Sequence, residues 1–202
     1  AVAPHIPGGI ITDSNILRKM ADVLDKYNAA AIKVTSSQRL ALIGIQEDDL
    51  DAVWNELGME KGCPIGSCVR SVRICPAQTF CKRAQQDTVS LGLEIDKMYH
   101  GMDLPAKFKI AVSGCPNSCS ENAVRDLGVM GNNKGYTIVI GGSAGVLPRI
   151  ADKLIENITR EEVVPLVEKV IKYYKENARK YERFGRMIER IGIEKVKDDL
   201  LG

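Results

Sequence analysis

The chain has 202 residues, 45% hydrophobic and 27% charged, a composition ordinary for a globular protein and enough for one large domain or two small ones. A formal net charge of +2 argues against a polyanion partner such as nucleic acid, so any cationic site must be local. No apolar run approaches ~20 residues, so no membrane span is expected.

The start, AVAPHIPGGII, lacks a basic region and a long apolar stretch and does not read as a signal peptide; it also lacks an initial Met, consistent with residues missing upstream. Pro7 to Gly9 form a turn. Thr12 or Asp13 can cap a helix to about Tyr27, whose apolar positions Ile16, Leu17, Met20, Val23, Leu24 and Tyr27 recur at helical spacing. AAIKVT and RLALIGI read as two strands joined at Ser36, Ser37 and Gln38, and a helix from about Glu47 to Leu57 ends at Gly58. From Lys61 to Lys82 the chain becomes loop-like and holds four of the six cysteines. A long helix is predicted over roughly Thr79 to Met98, then a short strand with Lys107 and Lys109 on one face and Phe108 and Ile110 on the other. A short helix near Glu121 to Arg125 and strands near Leu127–Met130 and Tyr136–Ile140 follow, the second ending at Gly141-Gly142-Ser143. Leu147 to Glu156 reads as helix, and Thr159 with Glu162 forms a capping-box signature for the next one. Pro165 should kink that helix or move its start. The tail from Lys180 is helical, amphipathic and broken at Gly192.

Six cysteines in a chain of intracellular character favour metal or redox use over a disulfide framework, which points to a cytoplasmic protein. Cys75 and Cys81 are spaced C-x5-C, and Cys115 and Cys119 C-x3-C in a Gly-Cys-Pro-Asn-Ser-Cys turn. Two such pairs suit a four-thiolate centre, and the five-residue gap argues against a zinc ribbon. Cys63 and Cys68 are left over, either structural thiols or a redox-labile pair. His100, after a long helix, reads as a surface residue.

The cysteine pattern resembles that of the sirohaem-dependent sulfite and nitrite reductases. HIPGGIIT is similar to that family's RLPGGVIT stretch. IKVTSSQRLALIGI, VRSVRIC, AKFKIAVSGC and YTIVIGGSAG each resemble a further family segment, so the likeness covers most of residues 4 to 146. It implies an α+β protein: a ferredoxin-like α/β sandwich half-domain over 1–60, and over 61–202 an α/β domain that binds sirohaem and a [4Fe–4S] cluster and carries C-terminal helices. Larger members have two repeats where this chain has one.

By the same resemblance Cys75, Cys81, Cys115 and Cys119 hold the cluster, and Cys119 also bridges to the sirohaem iron. Arg70, Lys107 and Lys109 correspond to cations that bind the substrate anion and supply protons. His5 stands where larger members have an active-site Arg, and Ser37 where another Arg meets a cofactor carboxylate, a role Arg39 can reach from nearby. Lys33, Arg39, Arg73, Lys82 and Arg83 are candidates for the cofactor's carboxylates, with backbone N–H groups at Gly141, Gly142 and Ser143.

The implied reaction is the six-electron reduction of sulfite to sulfide. Nitrite reduction to ammonia is the near alternative; nitrite reductases of the family usually have Asn at the second lysine, so Lys109 tilts the reading to sulfite. A haem-free [4Fe–4S] electron carrier and a zinc-stabilised binding module stand as readings of a different class. No flavin or nicotinamide fingerprint is visible, so electrons are expected from a separate protein. One repeat covers a large cofactor poorly, so a homo-oligomer is expected, ahead of a monomer whose C-terminal helices fold back as a lid.

Overall fold

The computed structural model describes residues 1–202. Two hydrophobic cores organise them. The smaller gathers Val2, Met20, Val23, Leu42, Ile45, Val53 and Leu57. Helix α1 (Ser14–Lys26) starts where Asp13 accepts a hydrogen bond from the Asn15 N–H at 2.9 Å, so Asp13 rather than Thr12 is the cap. Strands β1 (Ala31–Val34) and β2 (Leu40–Ile43) pair antiparallel, and Val2 bridges to Leu42. Helix α2 (Leu50–Leu57) stops at Gly58, whose φ of 59° is the left-handed conformation that glycine adopts at least cost.

The larger core lies on a five-stranded sheet in the order β3 (Arg73–Ile74), β4 (Ile110–Ser113), β5 (Leu127–Asn132), β6 (Gly135–Ile140), β7 (Asp152–Ile158). The first three strands are parallel and the last two pairings antiparallel. Parallel neighbours need a crossover, and α3 (Val89–Tyr99) supplies it between β3 and β4, burying Leu91, Ile95 and Tyr99. The tail packs on the same core through α4 (Arg160–Asn177), α5 (Phe184–Ile191) and α6 (Ile193–Leu201). Phe108, Tyr174 and Phe184 meet with ring centroids 5.2–5.7 Å apart, and Tyr174 Oη donates to the Glu182 carbonyl at 2.6 Å. The apolar faces of the tail are therefore buried within its own chain.

Edge strand β3 is short, and side chains close its free edge. Gln38 accepts from the Ile74 N–H at 2.9 Å and donates to the Ile74 carbonyl at 3.1 Å. Asp96 of α3 accepts from the Val72 N–H at 2.7 Å. The Gln38 pair joins the first unit to the second where an unpaired edge would otherwise lie open.

Three expectations differ from what is found. The helix expected from Thr79 begins at Val89, because the N–H groups of Gln85 and Gln86 go to the Gly114 carbonyl instead of to a preceding turn. Leu147 to Glu156 is not helical: the chain there leads into β7, whose bulged pairing with β6 puts Leu154, Ile155 and Ile158 inward at a spacing that imitates a helix. Pro165 neither breaks α4 nor moves its start, and the capping box at Thr159 and Glu162 is formed.

Candidate metal centre and anion site

The two cysteine pairs begin at one end of the sheet for a simple reason. β3 and β4 are parallel with Ile74 opposite Val112, so Cys75 and Cys115 leave adjacent strands at their C-terminal ends. Cys75 Sγ accepts from the Gly114 N–H at 3.1 Å, and the Cys75 N–H donates to the Val112 carbonyl at 3.1 Å. A Cβ on Gly114 would lie 3.0 Å from Ala77 and from the Gln86 carbonyl, so glycine lets the two loops touch. Cys75 and Cys115 are half-buried, Cys81 and Cys119 are exposed, and all are free thiols. No three His, Cys, Asp or Glu side chains are close enough to hold a single metal ion. A four-iron cubane spaces its thiolates around a larger body, and two loops at neighbouring strand ends suit that span better.

A group of cations stands at the other, N-terminal end of β4. Lys107 is exposed and Lys109 half-buried, while Phe108 between them is fully buried, as the alternation predicts. Burial, then Arg125, Lys107 and Arg183, push the Lys109 ammonium below its ordinary range, which makes its proton easier to give up. Its backbone N–H donates to Asp126 at 2.8 Å. Asp126 is fully buried, and Arg183 grips both its oxygens at 2.7 and 2.9 Å. Burial pushes this carboxyl up while Arg183 opposes the shift. Arg73 and Arg125 share Glu121, whose carboxyl the Arg73 hydrogen bond holds below its usual range. Lys107, Ser143, Arg149, Arg183 and Arg186 line a cavity of about 300 Å³.

A second group surrounds the turn at 63–68. Arg70 is buried, and its guanidinium donates to the carbonyls of Cys63 (2.6 Å), Ile65 (2.5 Å) and Gly66 (2.8 Å) and to Cys68 Sγ (3.3 Å). The predicted substrate cation is thus clasped by its own loop. Arg39 is 5% exposed, and burial, then Arg70, lower its pKa. His5 Nε2 lies 2.8 Å from Asp96, and its ring stacks on His100 at 3.5 Å. His100 is accordingly not a surface residue: it is half-buried beneath His5, and burial lowers its pKa.

Lys33 is exposed on β1. Lys82 and Arg83 line a shallow cavity with Cys115, Pro116 and Asn117. The glycine turn corrects part of the expectation, for the Gly141 N–H is already given to the Asp126 carbonyl and the Ser143 N–H to that of Arg149. Ser143 lines the cavity with Lys107, and the Gly141 carbonyl accepts from Arg149 Nη1 at 2.9 Å. Gly142 is glycine because any Cβ would lie 2.6 Å from the Ala123 carbonyl.

The donor set fits an anionic cofactor. Nε and Nη1 of Arg39 and the Nε atoms of Arg73 and Arg125 are buried without an acceptor, a costly state that ligand carboxylates would relieve. Arg125, Asp126 and Arg183 escaped the sequence reading. The first two directly follow the second cysteine turn, a signal that could have found them; Arg183 has none.

Comparison with known proteins follows the two cores. Residues 65–201 match the nitrite and sulphite reductase 4Fe-4S domain, and residues 1–60 the nitrite/sulfite reductase ferredoxin-like half domain. The chain is 37% identical over 202 residues to an assimilatory-type sulfite reductase of Nitratidesulfovibrio vulgaris, covering 100% of this chain and 92% of that one. It is 39% identical over 200 residues to a nitrite reductase [NAD(P)H] of Bacillus subtilis, covering 99% of this chain but 25% of that protein. Among solved structures, dissimilatory sulfite reductase I superimposes with a TM-score of 0.88 at 18% identity, over 98% of this chain and 68% of the other.

Proposed function

This chain belongs to the nitrite and sulphite reductase 4Fe–4S family, and from that premise we propose that it reduces sulfite to sulfide with sirohaem and a [4Fe–4S] cluster. The division into a half-domain over 1–60 and a cofactor domain over 61–202 is part of this reading. The observation that carries it is that Cys75 and Cys115 leave adjacent parallel strands at their C-terminal ends, while Arg73 and Arg125, joined through Glu121 just past Cys119, keep buried Nε donors without acceptors.

Cys75, Cys81, Cys115 and Cys119 would hold the cluster, with Cys119 as the thiolate shared with the haem. When bound, the pair would store and deliver the electrons that the reduction consumes. The protein's own share is electrostatic. Lys107 and Lys109 draw the anion in, and Lys109, its proton loosened by burial, gives protons as oxygen leaves as water. Arg73, Arg125, Lys33 and Arg39 are donors for cofactor carboxylates, with Ser143 at the rim of the cavity. Arg70 joins the substrate only by leaving its loop carbonyls, and His5 only by leaving Asp96. A separate protein would supply electrons, and free thiols of this kind suit the reducing cytoplasm.

Nitrite is the second reading, favoured by the name of the Bacillus relative; Lys109 favours sulfite. The test is the absorption spectrum of the anaerobically purified protein together with sulfite and nitrite turnover on a reduced dye. Soret and red-region bands with sulfide production are expected. A broad brown shoulder alone, without turnover, would make the protein an electron carrier instead.

A further inference from the structure

Cys63 and Cys68 have no part in the cluster. Cys63 is half-buried and Cys68 is buried. The turn between them folds back on itself, and the Cys68 thiol donates to the Ile65 carbonyl within it at 3.6 Å. One nitrogen, Arg70 Nη1, reaches both residues, the Cys63 carbonyl at 2.6 Å and Cys68 Sγ at 3.3 Å. The contact is built from other directions too. Cys68 bridges to Asp103, and a Cβ on Gly101 would lie 3.2 Å from Cys63 Sγ, so the backbone at Gly101 presses against that sulfur.

We propose that Cys63 and Cys68 form a reversible disulfide, separate from the cluster, that locks the 63–68 turn around Arg70. The oxidant is a low-molecular-weight disulfide. The more exposed Cys63, as thiolate, attacks one of its sulfurs; that S–S bond breaks and one thiol leaves. Cys68, as thiolate, then attacks the Cys63 sulfur of the mixed disulfide, and the second thiol leaves. The protein pair gives up two electrons and two protons, and the small disulfide becomes two thiols. Burial pushes the Cys68 thiol up, and the Arg70 guanidinium 3.3 Å from its sulfur works against that shift, toward the thiolate that the second step needs. With the ends of the turn joined, the carbonyls of Cys63, Ile65 and Gly66 stay fixed on Arg70. Reduction frees the turn to release it.

The experiment equilibrates the cofactor-loaded protein anaerobically in buffers of varied reduced-to-oxidised glutathione ratio. Alkylation and non-reducing peptide mapping follow. A peptide linked between Cys63 and Cys68, lost again on adding dithiothreitol and never formed in Cys63→Ser, is the expected result. A pair that stays reduced at every ratio, or that carries only a glutathione adduct, overturns the proposal. The lock on Arg70 is read separately, by slower amide exchange over residues 63–70 in the oxidised form; unchanged exchange overturns that half. The activity arm rests on the proposed reductase function: KM for sulfite should rise about tenfold on oxidation, the loss of one hydrogen bond to a charged group. Cys63→Ser should not respond. If no form turns over sulfite, the functional reading fails, while mapping and exchange still decide the disulfide.

Discussion

Replacing Arg183 by Ala should unfasten the C-terminal helices from the cation group. Asp126 has no exposed surface, and three of its hydrogen bonds, at 2.7, 2.9 and 3.2 Å, come from Arg183. Without Arg183 the carboxylate keeps only the Lys109 N–H at 2.8 Å. Breaking a buried pair by removing one partner costs about 3–5 kcal/mol. The Arg183 side chain is 22% exposed, which places the cost toward the lower end. In a domain of this size 1 kcal/mol moves Tm by about 2–4 °C, so a fall of roughly 6–12 °C is expected. Asp126→Asn keeps the shape and some of the bonds and should cost about 1–2 kcal/mol. The double variant should be more stable than Arg183→Ala alone, because it also removes the stranded charge. Thermal unfolding of the four proteins at equal cofactor loading completes the cycle. A double variant less stable than Arg183→Ala would refute the reasoning, since the cost would then not arise from an unpaired buried carboxylate.

Cys75→Ser should lose bound iron and acid-labile sulfide while Cys63→Ser keeps both, as measured by colorimetric iron and sulfide assays on purified protein. Lys109→Asn should lower the ratio of sulfite to nitrite kcat/KM about tenfold or more: the second charge of the sulfite dianion adds roughly 4 kcal/mol of attraction to a cation at about 4 Å and an effective dielectric of about 20, and an unchanged ratio would count against the assignment. His100 has its pKa lowered from 6.5 by burial and by His5, so the unfolded chain takes a proton before the folded one does. Stability is then fully present above that value and is lost as pH falls through it; His100→Gln should flatten the urea midpoint between about pH 7 and pH 5. Light scattering at micromolar concentration should give a mass that is a multiple of the 22.1 kDa chain, whereas the chain mass itself would leave the tail as sole cover for the cofactor.

What could be read from the sequence was chemistry held within short spans. The spacing of Cys75 with Cys81 and Cys115 with Cys119, the two lysines on alternate positions, Asp13 and Gly58 at helix ends, and Thr159 with Glu162 each depend on residues a few positions apart, whose relation the backbone dictates. The resemblance then joined these spans into a family. Tertiary structure decided the rest. β7 looked helical because the bulge against β6 changes which residues face the core, and pairing with another strand is invisible to a local period. The stretch ahead of Val89 is not helical because the N–H groups of Gln85 and Gln86 found the Gly114 carbonyl in the second cysteine loop. Arg183 lies 57 residues from Asp126, and His5 reaches His100 only because the first unit docks on α3 and the β3 edge. Burial made the same difference to charge. Nothing in the sequence separates the exposed Lys33 from the buried Arg39, or shows that Arg70 would be held by its own turn, since desolvation and hydrogen-bond satisfaction exist only once distant segments have closed around a side chain.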